Sequence, residues 1–233
     1  MLTMHKNKIP ESRWAAFALH LIASFLLFLV LTAYIAYFWF PDPFMPAGGW
    51  EGLKIIFAVD MVIGPTLTLI VYNVKKKNIA FDLSVIAAFQ MVCLIAGMAQ
   101  VHKERIVLQV FTEKGLHLIS ARQLADNSIP LRLAHSFPGS SPKALALNLP
   151  NNSLAFVNSR MLSMLNKGLA LEFRTDLYLP LKDLPKENWN WLLEELNSSQ
   201  DQHCYWVPLF SYHFSGHACL SRDGAVEIRD DKA

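Results

Sequence analysis

The sequence predicts a membrane protein with three N-terminal transmembrane α-helices followed by a small α+β periplasmic domain. Three observations carry this. The 233-residue chain is 53% hydrophobic, above the roughly 45–50% of ordinary soluble domains. The excess sits before Val101, in three runs long enough to span a bilayer. Lys and Arg flank those runs unequally, which sets an orientation.

The first run, 14–40, contains no Asp, Glu, Lys or Arg. A spanning helix needs about 20 apolar residues, so this run crosses with tilt. It closes on Tyr34, Tyr37 and Trp39, then on Pro41, Asp42 and Pro43, an aromatic belt followed by a helix stop. A cleaved signal peptide has an apolar core of about 7–15 residues and a small-residue cleavage site. Here the run is longer and bulky aromatics stand where that site would be, so no cleavage is expected. The second run, 53–74, contains Asp60 and the pair Gly64-Pro65; the third, 83–101, contains Gln90, Cys93 and Gly97.

Lys6, Lys8 and Arg13 precede the first run, and Lys75, Lys76 and Lys77 separate the second from the third. The connection between the first two has only Lys54, beside Asp42 and Glu51. Positive residues stay on the cytoplasmic side. The expected organisation is therefore a cytoplasmic tail (1–13), a three-helix membrane domain (14–101) and an exported domain (102–233). Lys103 and Arg105 run against the rule, but they front a long domain, where charge weighs less.

In a bacterial inner membrane the far side is the oxidising periplasm, so Cys204 and Cys219 are expected to form a disulfide, with Cys93 free. A reversal near Ser211 and Tyr212 would set the two nearly opposite on adjacent strands; two free buried thiols are the alternative. Elsewhere the exported part reads as strands over 105–112 and 115–120, a helix over 121–125 capped by Ser120, a loop over 136–142 and a strand over 143–149. A helix over 152–166, a strand over 169–174 and a helix beginning at Pro185 follow, the last with Trp189, Leu192, Leu193 and Leu196 on its apolar face. A final hairpin turns at Arg222, Asp223 and Gly224.

The membrane half carries a series of short motifs. They are Arg13-Trp14-Ala15-Ala16-Phe17 with His20, Phe40-Pro41-Asp42-Pro43, Gly48-Gly49-Trp50, Val59-Asp60, and Gly64-Pro65-Thr66-Leu67-Thr68-Leu69. Lys77, Asp82-Leu83, Ile86 and Gln90 continue the series. In this order and spacing they resemble the type IV pilin accessory proteins, the TfpX/TfpZ family, over about residues 13–90 and more weakly through Ser120-Ala121. The resemblance implies an inner-membrane accessory factor or chaperone for the major pilin, acting on its stability or assembly rather than catalysing a reaction.

Six residues stand out as client-binding candidates. Asp60 is an acid inside a span, which costs about 2.5 kcal/mol or more unless paired or near water. Counted from the cytoplasmic end it lies in the outer half, where no basic residue of the other spans shares its depth and Gly97 leaves space beside it. It is either a polar contact for a client helix or a carboxylate bonded to backbone or water. Gly64 and Pro65 should bend the second span and open a groove; a fixed kink that only shapes the bundle is the plain alternative. His20 lies at a depth near Ser24 and Gln90. These residues, with Thr66, suit an internal polar layer holding the helices in register. The sharper reading gives His20 the acid that pilins in general carry near their mature N-terminus, for which imidazole supplies a donor.

Catalytic and cofactor readings find little support. His213 and His217 are four apart, as in a helical metal pair, but their stretch reads as strand and turn, and no glutamate accompanies them. G-x-S-x-G, P-loop and G-x-G-x-x-G patterns are missing from the sequence. Neither an enzyme nor a cofactor is expected; the alternative, a membrane enzyme using Asp60 as acid or base, lacks a second titratable group. The exported part has fourteen Lys plus Arg and fourteen Asp plus Glu, so nucleic acid is not an expected partner. The expected partners are the lipid bilayer and the pilin, whose helix meets the spans and whose head faces the exported domain.

Overall fold

The computed structural model describes residues 12–149, 158, 161, 170–201 and 203–229. The chain forms two compact units. One comprises Met1–Tyr37 with Trp50–Val101, the other Phe38–Gly49 with His102–Ala233.

The first unit holds most of three helical runs long and apolar enough to cross a membrane: Arg13–Trp39, Gly49–Val71 and Ile79–Glu104. The first begins as α1 (Arg13–Tyr34), whose N-terminus is capped by Ser12 Oγ accepting from the Ala15 amide. It ends as a π-helical stretch, Ile35–Trp39. The second run is α2 (Gly49–Phe57), a π-helical segment Ala58–Ile63, and α3 (Gly64–Val71). Pro65 explains the interruption. Its ring carries no N–H and would clash with a carbonyl one turn earlier. The wider segment ahead of it absorbs the misfit, and the Gly64 amide reaches back five residues to the Val59 carbonyl. Where a bend is expected at Gly64-Pro65, the structure has a π-helical segment just before the pair. The third run, α4 (Ile79–Glu104), is continuous.

These helices meet where side chains are small. A Cβ at Gly52 would stand 2.1 Å from Val101 Cγ2, and one at Gly64 would stand 1.8 Å from Gln90 Nε2. Gly97 approaches Ile56 more loosely, at 3.3 Å from its Cγ1. Close backbone approach of this kind is how helices associate in lipid, where hydrophobicity gives no preference for protein over solvent.

The second unit is built on a mixed sheet. Its strands are β1 (Ile106–Thr112), β2 (Gly115–Ser120), β3 (Lys143–Leu147), β4 (Tyr178–Pro180), β5 (Ser199–Asp201), β6 (Cys204–Phe210), β7 (Ser215–Leu220) and β8 (Val226–Arg229). The order is β4-β3-β1-β2-β6-β7-β8, with β5 also paired to β6. β1 to β3 and β2 to β6 are parallel; the other pairs are antiparallel. Every residue of β1 is buried, as suits a central strand covered on both faces. Gly115, at φ 133°, closes the β1–β2 hairpin against the Pro208 carbonyl, a backbone setting that favours glycine.

Short helices α5 (Ala121–Asp126) and α6 (Arg132–Ser136) follow β2. α5 opens with a capping box in which Ser120 and Gln123 bond each other's backbone amides. After β4 comes α7 (Lys186–Glu195), with Trp189, Leu192 and Leu193 buried. Trp189 packs on Phe111 at 5.3 Å between ring centroids. The expected strand over 169–174 is instead a pair of tight turns, Leu171–Phe173 and Thr175–Leu177. There Phe173 and Arg174 amides bond the Ala170 and Leu171 carbonyls, so local partners satisfy what a strand leaves to a neighbour. β4 takes the place beside β3. The helix expected over 152–166 falls almost wholly outside the described residues. Cys204 and Cys219 are joined across β6 and β7, with Cα atoms 5.3 Å apart, and Cys93 is free.

Candidate functional site

Four of the six candidates converge inside the first unit. His20 on α1 faces α3, where its Nδ1 lies 2.6 Å from Thr68 Oγ1. The same imidazole bonds the Gln90 side chain from α4 and interacts electrostatically with Asp60. Gln90 lies over Gly64, whose missing side chain is the space it occupies. Thr68, Asp60 and Ser24 are buried. One imidazole therefore ties three helices through a hydroxyl and an amide, with a carboxylate in reach. Such bonds between membrane helices average about 0.6 kcal/mol, so their main product is register rather than strength.

The layer differs from the expected one in one member. Thr66 donates to the Val62 carbonyl of its own helix at 2.6 Å and is turned outward, whereas Thr68 supplies the bond. Two residues along a helix is about 200° of rotation, so only one of the pair can face His20. Asp60 does have an imidazole partner in reach. Counting rise treats depth as the only separation, but charges act across more than one turn in a low dielectric. Gly97 is apart from this group. It lies against Ile56, one turn from Asp60 toward Gly49, and is not the space beside the acid. Pro65 is buried at the start of α3. Among the described residues no group of three or more His, Cys, Asp or Glu side chains is placed to hold a metal.

The second unit has its own polar centre, which sequence reasoning missed. Glu104, the last residue of α4, is buried; its Oε1 accepts from Arg122 at 2.8 Å and its Oε2 lies 3.5 Å from His213 Nε2. His213 also adjoins Gly48, which at φ 141° lets the Phe38–Gly49 segment pass close to the ring. With Phe40, Phe44 and Ala47 buried, that segment is part of the domain rather than a free loop. No spacing signal links positions 48, 104, 122 and 213. His217 lies on β7, opposite Pro208 and Arg229 in the ladders. On β2, burial pushes the His117 imidazole below its ordinary value, opposed by Glu172 at 3.9 Å. Burial likewise pushes the Tyr178 hydroxyl up.

Fold and site together define a class: a membrane protein with three apolar helices keyed by a polar layer, bearing a mixed-sheet domain. The chain is similar to the fimbrial assembly protein of serogroup E1 from Dichelobacter nodosus, 29% identical over 118 residues, 49% of this chain and 46% of that protein. It is similar to the fimbrial assembly protein of serogroup I from the same organism, 28% identical over 118 residues, with the same coverage. A third, for serogroups C1 and C2, is 27% identical over 115 residues, 48% of this chain and 88% of that protein. The chain spans about half the length of the first two curated relatives it matches. No family model matches the chain, and no solved structure does.

Proposed function

We propose that this chain is an inner-membrane accessory protein of type IV pilus biogenesis, of the TfpX/TfpZ kind, that binds the major pilin and governs its stability or assembly. The observation that carries the reading is the similarity to fimbrial assembly proteins over about half of the chain, at 29% identity. It acts by binding rather than by chemistry. The N-terminus lies in the cytoplasm and the sheet domain in the periplasm, as the exposed Lys75, Lys76 and Lys77 between the second and third helices favour. The pairing of Phe38–Gly49 with the sheet domain in one unit supports three crossings, which put both on the same side whichever side that is.

The pilin's apolar helix would lie against the spans. Gly64 is occupied by Gln90 and Gly97 by Ile56, so neither offers an open groove. One free surface is the outer stripe of α1, where Leu19, Ile22, Leu26 and Val30 are exposed at helical spacing. His20, Asp60 and Gln90 would support that surface from behind by fixing α1 against α3 and α4. Direct capture of a pilin carboxylate by His20 would have to displace Thr68 or Gln90, which makes the supporting role the better fit.

Crosslinking in native membranes tests the proposal. Major pilin should be recovered with the chain, and deletion should change pilin level or piliation. Unchanged piliation, with no pilin among the crosslinked products, would contradict it.

A further inference from the structure

The second unit contains a cleft of about 550 Å³ that the pilin reading does not use. This volume lies within the usual range for sites that enclose a small group. Its walls come from five separate stretches: the Phe38–Gly49 segment, Gln109 of β1, the loop leading into β3, the end of β4 with the two residues after it, and the β7–β8 turn. We propose that the cleft binds a basic side chain, arginine or lysine, presented on an extended peptide segment.

The walls select for donors. Pro41, Pro43, Pro138, Pro142 and Pro180 all line the cleft. Each lacks an N–H, so these walls are poorer in donors than ordinary backbone. Gln109, on the central strand β1, also lines it and is 5% exposed. Its Nε2 donates to the Pro142 carbonyl at 3.4 Å, whereas its Oε1 is buried with no partner among the described residues. Buried acceptors are nearly always satisfied, so this oxygen marks a place where a donor is missing.

Charge narrows the donor's identity. Asp42 and Asp223 line the cleft against one cation, Lys182. Asp223 accepts from Ser221 and from the Ala225 amide, which holds its carboxyl below the usual range and so charged at neutral pH. Guanidinium and ammonium groups carry donors only and positive charge, which matches a donor-poor, net acidic cleft. A carboxylate or phosphate would meet like charge and few donors. Among the described strands β4 is an edge, and its last residue, Pro180, lines the cleft, so an extended segment can approach it along that edge.

The test uses the full chain in detergent micelles and two fluorescent peptides, Ser-Val-Ser-Arg-Ser-Val-Ser and the same peptide with citrulline for arginine. Citrulline keeps the shape and loses the charge. Anisotropy should show saturable binding of the arginine peptide, at least about fivefold tighter than citrulline. Asp42→Asn should remove most of that difference while leaving citrulline binding unchanged. Gln109→Leu should weaken both peptides; a thermal melt separates this from misfolding, and Asp42→Asn carries the test if Gln109→Leu does not fold. Equal binding of the two peptides, no binding of either at millimolar concentration, or an arginine preference that survives Asp42→Asn would each overturn the proposal.

Discussion

The two units of this chain are held together by opposite means. In the sheet domain, Leu108, Val110, Phe111, Leu145 and Leu147 are fully or almost fully enclosed, and burial of apolar area is the driving force. In the helical unit, large apolar side chains such as Ile22, Leu26, Val30 and Val92 face outward. The interior combines glycines and a few polar groups with a small number of apolar side chains such as Ile56, Ile86 and Val101. The contrast follows from the surroundings. Water rewards apolar burial, whereas lipid tails are as apolar as the side chains and leave packing and hydrogen bonds to decide. The same substitution should therefore have unlike effects in the two halves.

Phe111→Ala should destabilise the sheet domain by about 3–5 kcal/mol, the range for a buried phenylalanine, whereas Ile22→Ala on α1 should leave helix insertion and bundle stability nearly unchanged. Thermal melts of the full chain, followed by proteolysis of the exposed domain, distinguish the two. Equal sensitivity would break the comparison.

Next in size is the disulfide. Its cysteines are 15 residues apart, and the chain-entropy model gives about 3 kcal/mol for a loop of that length. Replacing both cysteines by serine should lower the midpoint for the sheet domain alone. Thiol labelling of the denatured, unreduced protein should modify Cys93 only.

Within the helical unit the order of glycine substitutions is a sharper check. Gly52→Val and Gly64→Leu force side chains into Val101 and Gln90 and should cost about 1–3 kcal/mol each, typical of overpacking. Gly97→Ala, with its nearest neighbour at 3.3 Å, should be clearly milder. Detergent-resistance melts would rank them, and Gly97→Ala proving the worst would contradict the packing. His20→Leu should lose on the order of 1 kcal/mol, as bonds between membrane helices do.

The smallest effect is a pH slope. Burial holds His117 below 6.5 in the folded domain, so the unfolded chain takes up its proton first as pH falls. Stability should decline below about pH 6.5, against the ordinary imidazole value. His117→Asn should flatten that slope. A slope unchanged by the substitution would assign it to another group.

Hydropathy made the helical half legible, because a span must be long and uncharged. His20 and Gln90 were placed together from rise alone, since both helices are straight enough there for counting to hold. Thr68 was missed for Thr66 because depth does not report rotation. Gly97 lies against Ile56 rather than Asp60; the acid sits inside the π-helical segment, where counting at α-helical rise does not hold. In the sheet domain the β1–β2 hairpin, the Ser120 cap and the turn at Gly224 carry local signals and were readable. The three-residue strands β4 and β5 have no periodicity to read. The Glu104–Arg122–His213 group joins three distant segments, and no single stretch announces it.

The proposed pilin contact runs through the membrane spans. Photocrosslinking amino acids placed singly at Ile22, Val30 and, in the sheet domain, Tyr212 would test it most directly in pilin-expressing cells. Pilin adducts are expected from Ile22 and Val30, strongest in the membrane fraction and reduced by Gly64→Leu. Adducts from Tyr212 alone, with none from either span position, would contradict it.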